Sequence, residues 1–233
     1  LANDTISLSL MKGEIVALLG ENGAGKTTLM NILFGHYVPD EGTVTVMGRQ
    51  LPPGKPREAI SAGVGMVHQH FSLAGNLTVL ENVMTGSERL FLPASNTGAA
   101  RKKLMALSER FGLKVDPEAR LGDLSVGEQQ RVEILKALYN DAKILVLDEP
   151  TAVLTNLEAE KLLSTLRDMA RPGLPLIFIS HKLDEVMATA DRIVLLRGGT
   201  SAPPRTASQT NNHALAARTH GRPEPHPRSA PGS

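Results

Sequence analysis

The chain has 233 residues, 41% of them hydrophobic but only 3% aromatic, and no cysteine. It is long enough for one large domain with an aliphatic core, and disulfides, thiolate metal sites and cysteine nucleophiles are excluded. The net charge of +1 is unevenly spread: residues 200–233 hold four arginines and one acid, Glu224, which leaves 21 basic and 23 acidic residues, a net of −2, over the rest. That body lacks the cationic excess of a nucleic-acid binder.

No apolar run approaches the roughly twenty residues of a membrane helix. The chain opens on Leu1, with neither an initiator Met nor a secretory leader, which reads as an internal start. Thr5 to Leu10 alternates polar and apolar residues and predicts a half-buried strand. After a turn at Met11-Lys12-Gly13-Glu14, the apolar run Ile15 to Leu19 predicts a buried strand. Gly20-Glu21-Asn22-Gly23-Ala24-Gly25-Lys26-Thr27-Thr28 follows and fits G-x-x-x-x-G-K-[ST]. A helix-compatible run, Thr27 to Phe34, comes next, with Gly35 as its C-cap.

Strand, glycine loop and helix in that order make a phosphate-binding loop. The glycines let consecutive N–H groups point into one concavity, and the helix adds its positive dipole end. Lys26 can reach the β- and γ-phosphates of a nucleoside triphosphate, and the Thr27 hydroxyl can ligate Mg²⁺.

Further along, Pro39 to Gly42 predicts a turn, Thr43 to Val46 a short strand, Pro56 to Ala62 a short helix and Val64 to Val67 a buried strand. His68 and His70 are spaced for a metal but lack a third ligand, and His36 pairs with no other ligand type. From Leu77 to Phe111 the pattern is helical, with a break at 93–98. Val79 to Met84 forms one helix and Ala99 to Phe111 another, and Leu104, Leu107 and Phe111 share a face of the second. Ser125 is a helix N-cap with Glu128 three residues on, a capping box, and its helix runs to about Tyr139.

Lys143 to Asp148 predicts a buried strand that exits on two acids, Asp148 and Glu149. Acids at a strand end beside a phosphate loop can hold Mg²⁺ and direct a water. Leu157 to Met169 is amphipathic, Leu176 to Ser180 is a strand ending at His181, Leu183 to Ala188 is helical and Ile193 to Leu196 is the last strand. Alternation of strands with helices predicts an α/β fold with a mainly parallel sheet covered on both faces. Residues 200–233 hold six of fifteen prolines and Leu215 alone among large aliphatics, a composition that predicts a disordered tail, with a non-native end as the alternative reading to a basic interaction tail.

The phosphate loop, Gln69, Leu124-Ser125-Val126-Gly127-Glu128-Gln129, the acids at 148 and 149 and His181 come in the order found in the nucleotide-binding cassette of ABC transporters, and the chain resembles that family from about residue 3 to 198. The resemblance implies a phosphate-loop NTPase core over 1–199 with a helical subdomain inserted at about 72–140. It implies ATP and Mg²⁺ as ligands. The nucleotide would be bound by Gly20, Glu21, Asn22, Gly23, Ala24, Gly25, Lys26, Thr27 and Thr28, with Gln69. Thr27, Gln69 and Asp148 would hold the metal. Glu149 would be the general base, helped by His181 and Lys26. Ser125 and Gly127 would meet the γ-phosphate of ATP held by a second cassette, and Glu128 would belong to the same nucleotide-binding set. Further partners implied are transmembrane permease subunits and, indirectly, an extracytoplasmic solute-binding protein, with the chain peripheral on the cytoplasmic face of the membrane and no nucleic acid bound.

The wording Met66-Val67-His68-Gln69-His70-Phe71, Gln130-Arg131-Val132-Glu133-Ile134-Leu135-Lys136-Ala137-Leu138 and Glu149-Pro150-Thr151-Ala152-Val153-Leu154-Thr155 is similar to importers of nucleosides and simple sugars, in which two cassettes share a polypeptide and this stretch would be the first. Three departures stand against the family pattern. Thr155 occupies the usual place of an Asp. The first strand and an adenine-stacking aromatic would precede Leu1. A structured continuation and a second cassette would replace the tail. Two other readings fit the same motifs: a non-functional fragment of such an ATPase, and a soluble cassette ATPase outside transport.

Overall fold

The structure is a computed structural model that describes residues 3–68, 72–85 and 97–201 and the backbone of 205–206. β1 (Ile15–Leu19) leads through the glycine loop into α1 (Lys26–Leu33). The helix ends at Phe34, and Gly35 follows at φ +72°, the left-handed geometry that lets its amide bond back to Ile32. A hairpin comes next, β2 (Val44–Val46) and β3 (Arg49–Leu51), turned by Met47 and Gly48, both at positive φ. β3 was not legible in the sequence because Arg49 and Gln50 face solvent and only Leu51 is buried. α2 (Pro56–Ser61) leads to β4 (Val64–Val67).

Three helices follow: α3 (Val79–Met84), α4 (Thr97–Phe111) and α5 (Val126–Tyr139). The predicted break at 93–98 falls largely outside the described residues. β5 (Ile144–Asp148), α6 (Asn156–Ala170), β6 (Leu176–Ser180), α7 (Leu183–Thr189) and β7 (Arg192–Arg197) complete the alternation. Two short strands, β8 (Thr200–Ser201) and β9 (Arg205–Thr206), pair antiparallel with β7. Regular pairing therefore passes the boundary expected at residue 199. Gly198 and Gly199, both at positive φ, turn the chain back, and backbone pairing needs none of the large aliphatics that the composition lacks. The rest of the predicted tail lies outside the described residues.

The main sheet runs β4-β5-β6-β1-β7-β8, with β9 also on β7. β4, β5, β6, β1 and β7 are parallel to their neighbours. Parallel strands carry helices on both faces, so their side chains are buried both ways. Accordingly Ile15, Ala17 and Leu19 point into one core with residues of α3 to α7, while Val16 and Leu18 point into a second with Met30 of α1, Ala59 of α2 and the hairpin residues Val46 and Leu51. Each of the Val, Leu, Ile and Met side chains among these contributes about 1.5–3 kcal/mol by burial.

Thr5 to Leu10 is not a strand. Ile6, Leu8 and Leu10 do pack against the second core, but no ladder forms: the Asp4 amide donates to the Gly199 carbonyl, and Ser9 accepts from Arg192. Alternation reported which side chains are buried. It could not report whether the backbone finds a neighbouring strand.

One buried acid, Glu133 on α5, ties the helices to the sheet edge. Its carboxylate accepts from the Ser72 amide at 2.6 Å, and Lys136 one turn on donates to the Ser72 carbonyl at 3.2 Å. Burial pushes the Glu133 carboxyl up, despite the Ser72 amide, Lys136 and His68 facing it. A raised acid binds its proton more tightly folded than unfolded, so its ionisation costs stability above the folded pKa, and the cost fades as pH falls. Glu133→Gln keeps the acceptor and removes that cost. We expect it to melt about 2–4 °C above the parent at pH 7.5, the scale of about 1 kcal/mol in a chain this size, with the gap closing toward pH 5. A lower midpoint for the variant at pH 7.5 would contradict this.

Candidate functional site

The register of the parallel strands sets the site. Leu19 pairs with Ser180 and Asp148 with Ile179, so Gly20, Glu149 and His181 leave the sheet at nearly one level. The carboxyl ends of parallel strands form the crevice in which such sheets bind ligands.

The glycine loop lies against β7. A Cβ on Gly20 would stand 2.5 Å from the Leu196 carbonyl oxygen, so only glycine fits. Gly23 and Gly25 adopt φ +82° and +99°, left-handed values that turn the loop into α1. A cleft of about 190 Å³ runs between Gly20 to Ala24 and Leu195 to Gly198. Glu21, Asn22, Gly23 and Thr27 are exposed, Ala24 is buried, and Thr28 is half-buried in the first turn. Lys26 is buried, and its ammonium donates to the carbonyls of Gly20 and Glu21.

Two carboxylates share a field with Lys26. Burial pushes its ammonium down, against the upward pull of Glu149 and Asp148. Burial pushes the Asp148 carboxyl up, and the adjacent Glu149 pushes it the same way, while His68 and Lys26 pull it back. Glu149 is the unusual residue. Its φ is +49°, a conformation that costs a non-glycine residue about 1–3 kcal/mol and persists only where the surroundings enforce it. The Glu149 amide stays on the sheet, donating to Ile179 at 3.0 Å. Its carboxylate is 14% exposed and faces His181, with Oε1 3.0 Å and Oε2 2.8 Å from Nδ1. The left-handed turn is what aims this side chain across β6 to the histidine.

The structure thus brings Lys26, Asp148, Glu149 and His181 together beside the loop. Gln69 lies outside the described residues. Ser125, Gly127 and Glu128 belong to the N-terminus of α5, which packs against α3, α4 and β4. There the Ser125 amide and hydroxyl donate to Glu128 at 2.9 and 2.8 Å, and those bonds hold the Glu128 carboxyl below the usual range. A Cβ on Gly127 would meet Glu158 Oε1 at 3.1 Å, a tight contact with the end of a flexible side chain. Thr155, where the family pattern has an Asp, caps α6: its hydroxyl accepts from the Glu158 amide. Thr155 therefore retains the capping function that an Asp would serve.

Asp148 and the Thr27 hydroxyl offer hard oxygen donors of the kind Mg²⁺ prefers. Among the described residues no three His, Cys, Asp or Glu side chains cluster for a metal, and His68 has no such set around it. No described helix is long and apolar enough to cross a membrane. Residues that no motif flagged stand just behind the site: Thr151, Lys182 and Glu185, joined by hydrogen bonds. Each looks locally ordinary, a turn threonine and two charges at the start of a helix.

Residues 3–152 match the ABC transporter family. The nucleoside import ATP-binding protein NupA of Lactococcus lactis is 49% identical over 95% of this chain, the glucose import ATP-binding protein TsgD13 of Haloferax volcanii 42% over 95%, and the guanosine import ATP-binding protein NupO of Bacillus subtilis 45% over 95%. The chain spans only 44, 45 and 43% of the length of these relatives. Among solved structures, MJ1267, an ATP-binding cassette of an ABC transporter in its ADP conformation, is 26% identical with a TM-score of 0.77, covering 88% of this chain and 85% of that one. The bacterial ABC transporter cassette MJ0796, solved as a dimer, is 27% identical with a TM-score of 0.71, covering 88% and 90%. A family match over more than half of the chain, and relatives above 40% identity along nearly all of it, agree with the site's geometry: the chain belongs to the ABC transporter family.

Proposed function

We propose that the chain binds ATP with Mg²⁺, hydrolyses it, and supplies the energy for import of nucleosides or simple sugars. The observation that carries this reading is the Glu149 carboxylate, held in a left-handed turn against His181 and sharing a field with Asp148 and Lys26 at the phosphate loop. Gly20 to Thr28 cradle the phosphates with loop amides, and the Lys26 ammonium exchanges its loop carbonyls for phosphate oxygens. Asp148, Thr27 and Gln69 would hold Mg²⁺, which would supply charge neutralisation at the phosphates. Glu149 takes a proton from the attacking water as the water oxygen bonds to the γ-phosphorus and the bond to the bridging oxygen of ADP breaks. His181 orients Glu149 and contacts the transferring phosphoryl group. Most of the rate comes from charge stabilisation, as is usual for phosphoryl transfer.

The relatives' names speak of nucleoside, guanosine and glucose import, and we extend that class of solute to this chain. Its partner is a second cassette, whose bound ATP meets Ser125, Gly127 and Glu128; exposed Val126, Val153 and Leu157, on the loops and helix starts around α5 and α6, suit such a contact. The surface around residues 69–92 meets the permease, on the cytoplasmic side of the membrane, and a solute-binding protein delivers cargo from the other side.

Steady-state phosphate release by the purified chain, beside thermal melting with and without Mg-ATP, tests this reading. Turnover with a raised midpoint is expected, since a ligand that binds only the folded state stabilises it. Absence of both would leave a non-functional fragment of such an ATPase.

A further inference from the structure

The strained Glu149 turn has to be held by something, and the hydrogen bonds show what holds it. Pro150 and Thr151 follow Glu149, and Thr151 is 1% exposed. The Thr151 hydroxyl donates to Glu185 Oε2, and its carbonyl accepts from Lys182 at 3.4 Å. Lys182 in turn donates to Glu185 Oε1 at 3.0 Å. Lys182 is the residue after His181, and its amide donates to the Ser180 hydroxyl at 3.0 Å. Glu185 sits in the first turn of α7, largely buried, where the helix dipole favours a carboxylate. One carboxylate thus grips both the loop that carries Glu149 and the loop that carries His181.

We propose that Glu185 is a positioning residue: by clamping Thr151 and Lys182 it fixes the spacing of Glu149 and His181, and so sets the turnover rate without touching nucleotide. The proposal rests on the roles given to Glu149 and His181 above. The geometry explains why both oxygens of Glu185 matter. Oε2 takes the Thr151 hydroxyl and Oε1 the Lys182 ammonium, so loss of the carboxylate frees both loops at once. Phosphate binding at the glycine loop depends on neither bond.

The test compares Glu185→Ala, Glu185→Gln and Thr151→Val with the parent chain. Glu185→Ala and Thr151→Val should bind a fluorescent ATP analogue within about twofold of the parent and lose about tenfold or more in turnover, because small misplacements of reacting groups have effects of up to about 10²-fold. Glu185→Gln retains an acceptor for the Thr151 hydroxyl but sets an NH2 group against the Lys182 ammonium, so it should recover only part of the loss. Unchanged turnover in Glu185→Ala, or nucleotide affinity falling in step with turnover, would overturn the clamp. Where Glu185→Ala melts below the assay temperature, Thr151→Val, which keeps shape and removes only the hydroxyl, carries the comparison. A second readout does not need hydrolysis. The His181 ring resonance, identified by its loss in His181→Ala, should shift or broaden in Glu185→Ala and Thr151→Val and move less in Glu185→Gln. A parent chain without turnover would refute the ATPase reading alone. An unmoved His181 resonance in Glu185→Ala would refute the clamp.

Discussion

Glu149→Gln is expected to bind ATP at least as well as the parent chain and to lose turnover by about 10²–10⁴-fold, the usual contribution of a positioned general base. The substitution is nearly isosteric, so the left-handed turn, the Ile179 contact and the fit against β6 survive. What disappears is the proton acceptor that faces His181 at 2.8 Å. Binding should not suffer. Glu149 is one of two carboxylates whose charge reaches Lys26, and neutralising it leaves the ammonium freer to meet phosphate and removes a negative charge from the path of the γ-phosphate. Phosphate release measured beside titration of a fluorescent nucleotide checks both halves. Turnover at the parent rate would remove Glu149 from the base role.

The second large effect belongs to Lys26→Ala, which should weaken nucleotide binding by about 10- to 150-fold. That range corresponds to about 1.5–3 kcal/mol for a lost charge-assisted hydrogen bond. In the structure the ammonium satisfies the carbonyls of Gly20 and Glu21 from a buried position. It is already desolvated and aimed along the loop, so little is spent in turning it to a phosphate. Lys26→Arg should not restore binding, because a planar guanidinium needs more room than a buried ammonium. A parent chain held at a hundredfold excess of ligand over Kd gains about 2.7 kcal/mol. The variant, at the same concentration, should show little of that shift in melting. Full retention of the shift would mean that the loop amides alone carry the phosphates.

Some of this was legible in the sequence, and the reason differs from place to place. Val64–Val67, Leu176–Ser180 and the helix after Ser125 came out with the expected bounds. Each is announced by strong local chemistry, either an unbroken apolar run or a capping box. The loop from Gly20 to Thr28 is announced by steric need, since glycine alone tolerates both the close approach to Leu196 and the left-handed turns. The extended Thr5 to Leu10 segment and the hairpin strand at Arg49 were misjudged or missed because pairing depends on what lies alongside in space. The same is true of the grouping of Lys26 with residues 148, 149 and 181. Acids at a strand exit can be read from the letters, but their common level comes from the register between β1, β5 and β6. The Thr151–Lys182–Glu185 network spans 34 residues of chain and has no periodic or motif signal at all.

The strand order also bears on how the protein is made. β1, the strand that carries the phosphate loop, lies between β6 and β7. Its two neighbours are the fourth and fifth of the five parallel strands to leave the ribosome, and Ile15 waits for Leu176 while Val16 waits for Arg192. Until then both edges of an all-apolar strand stay open, a form prone to wrong pairing. Long-range parallel pairing of this kind is slow to form. The strand that carries the phosphate loop therefore gains its partners only after β4, β5 and the helices between them have been made, so the nucleotide site closes late relative to its own synthesis.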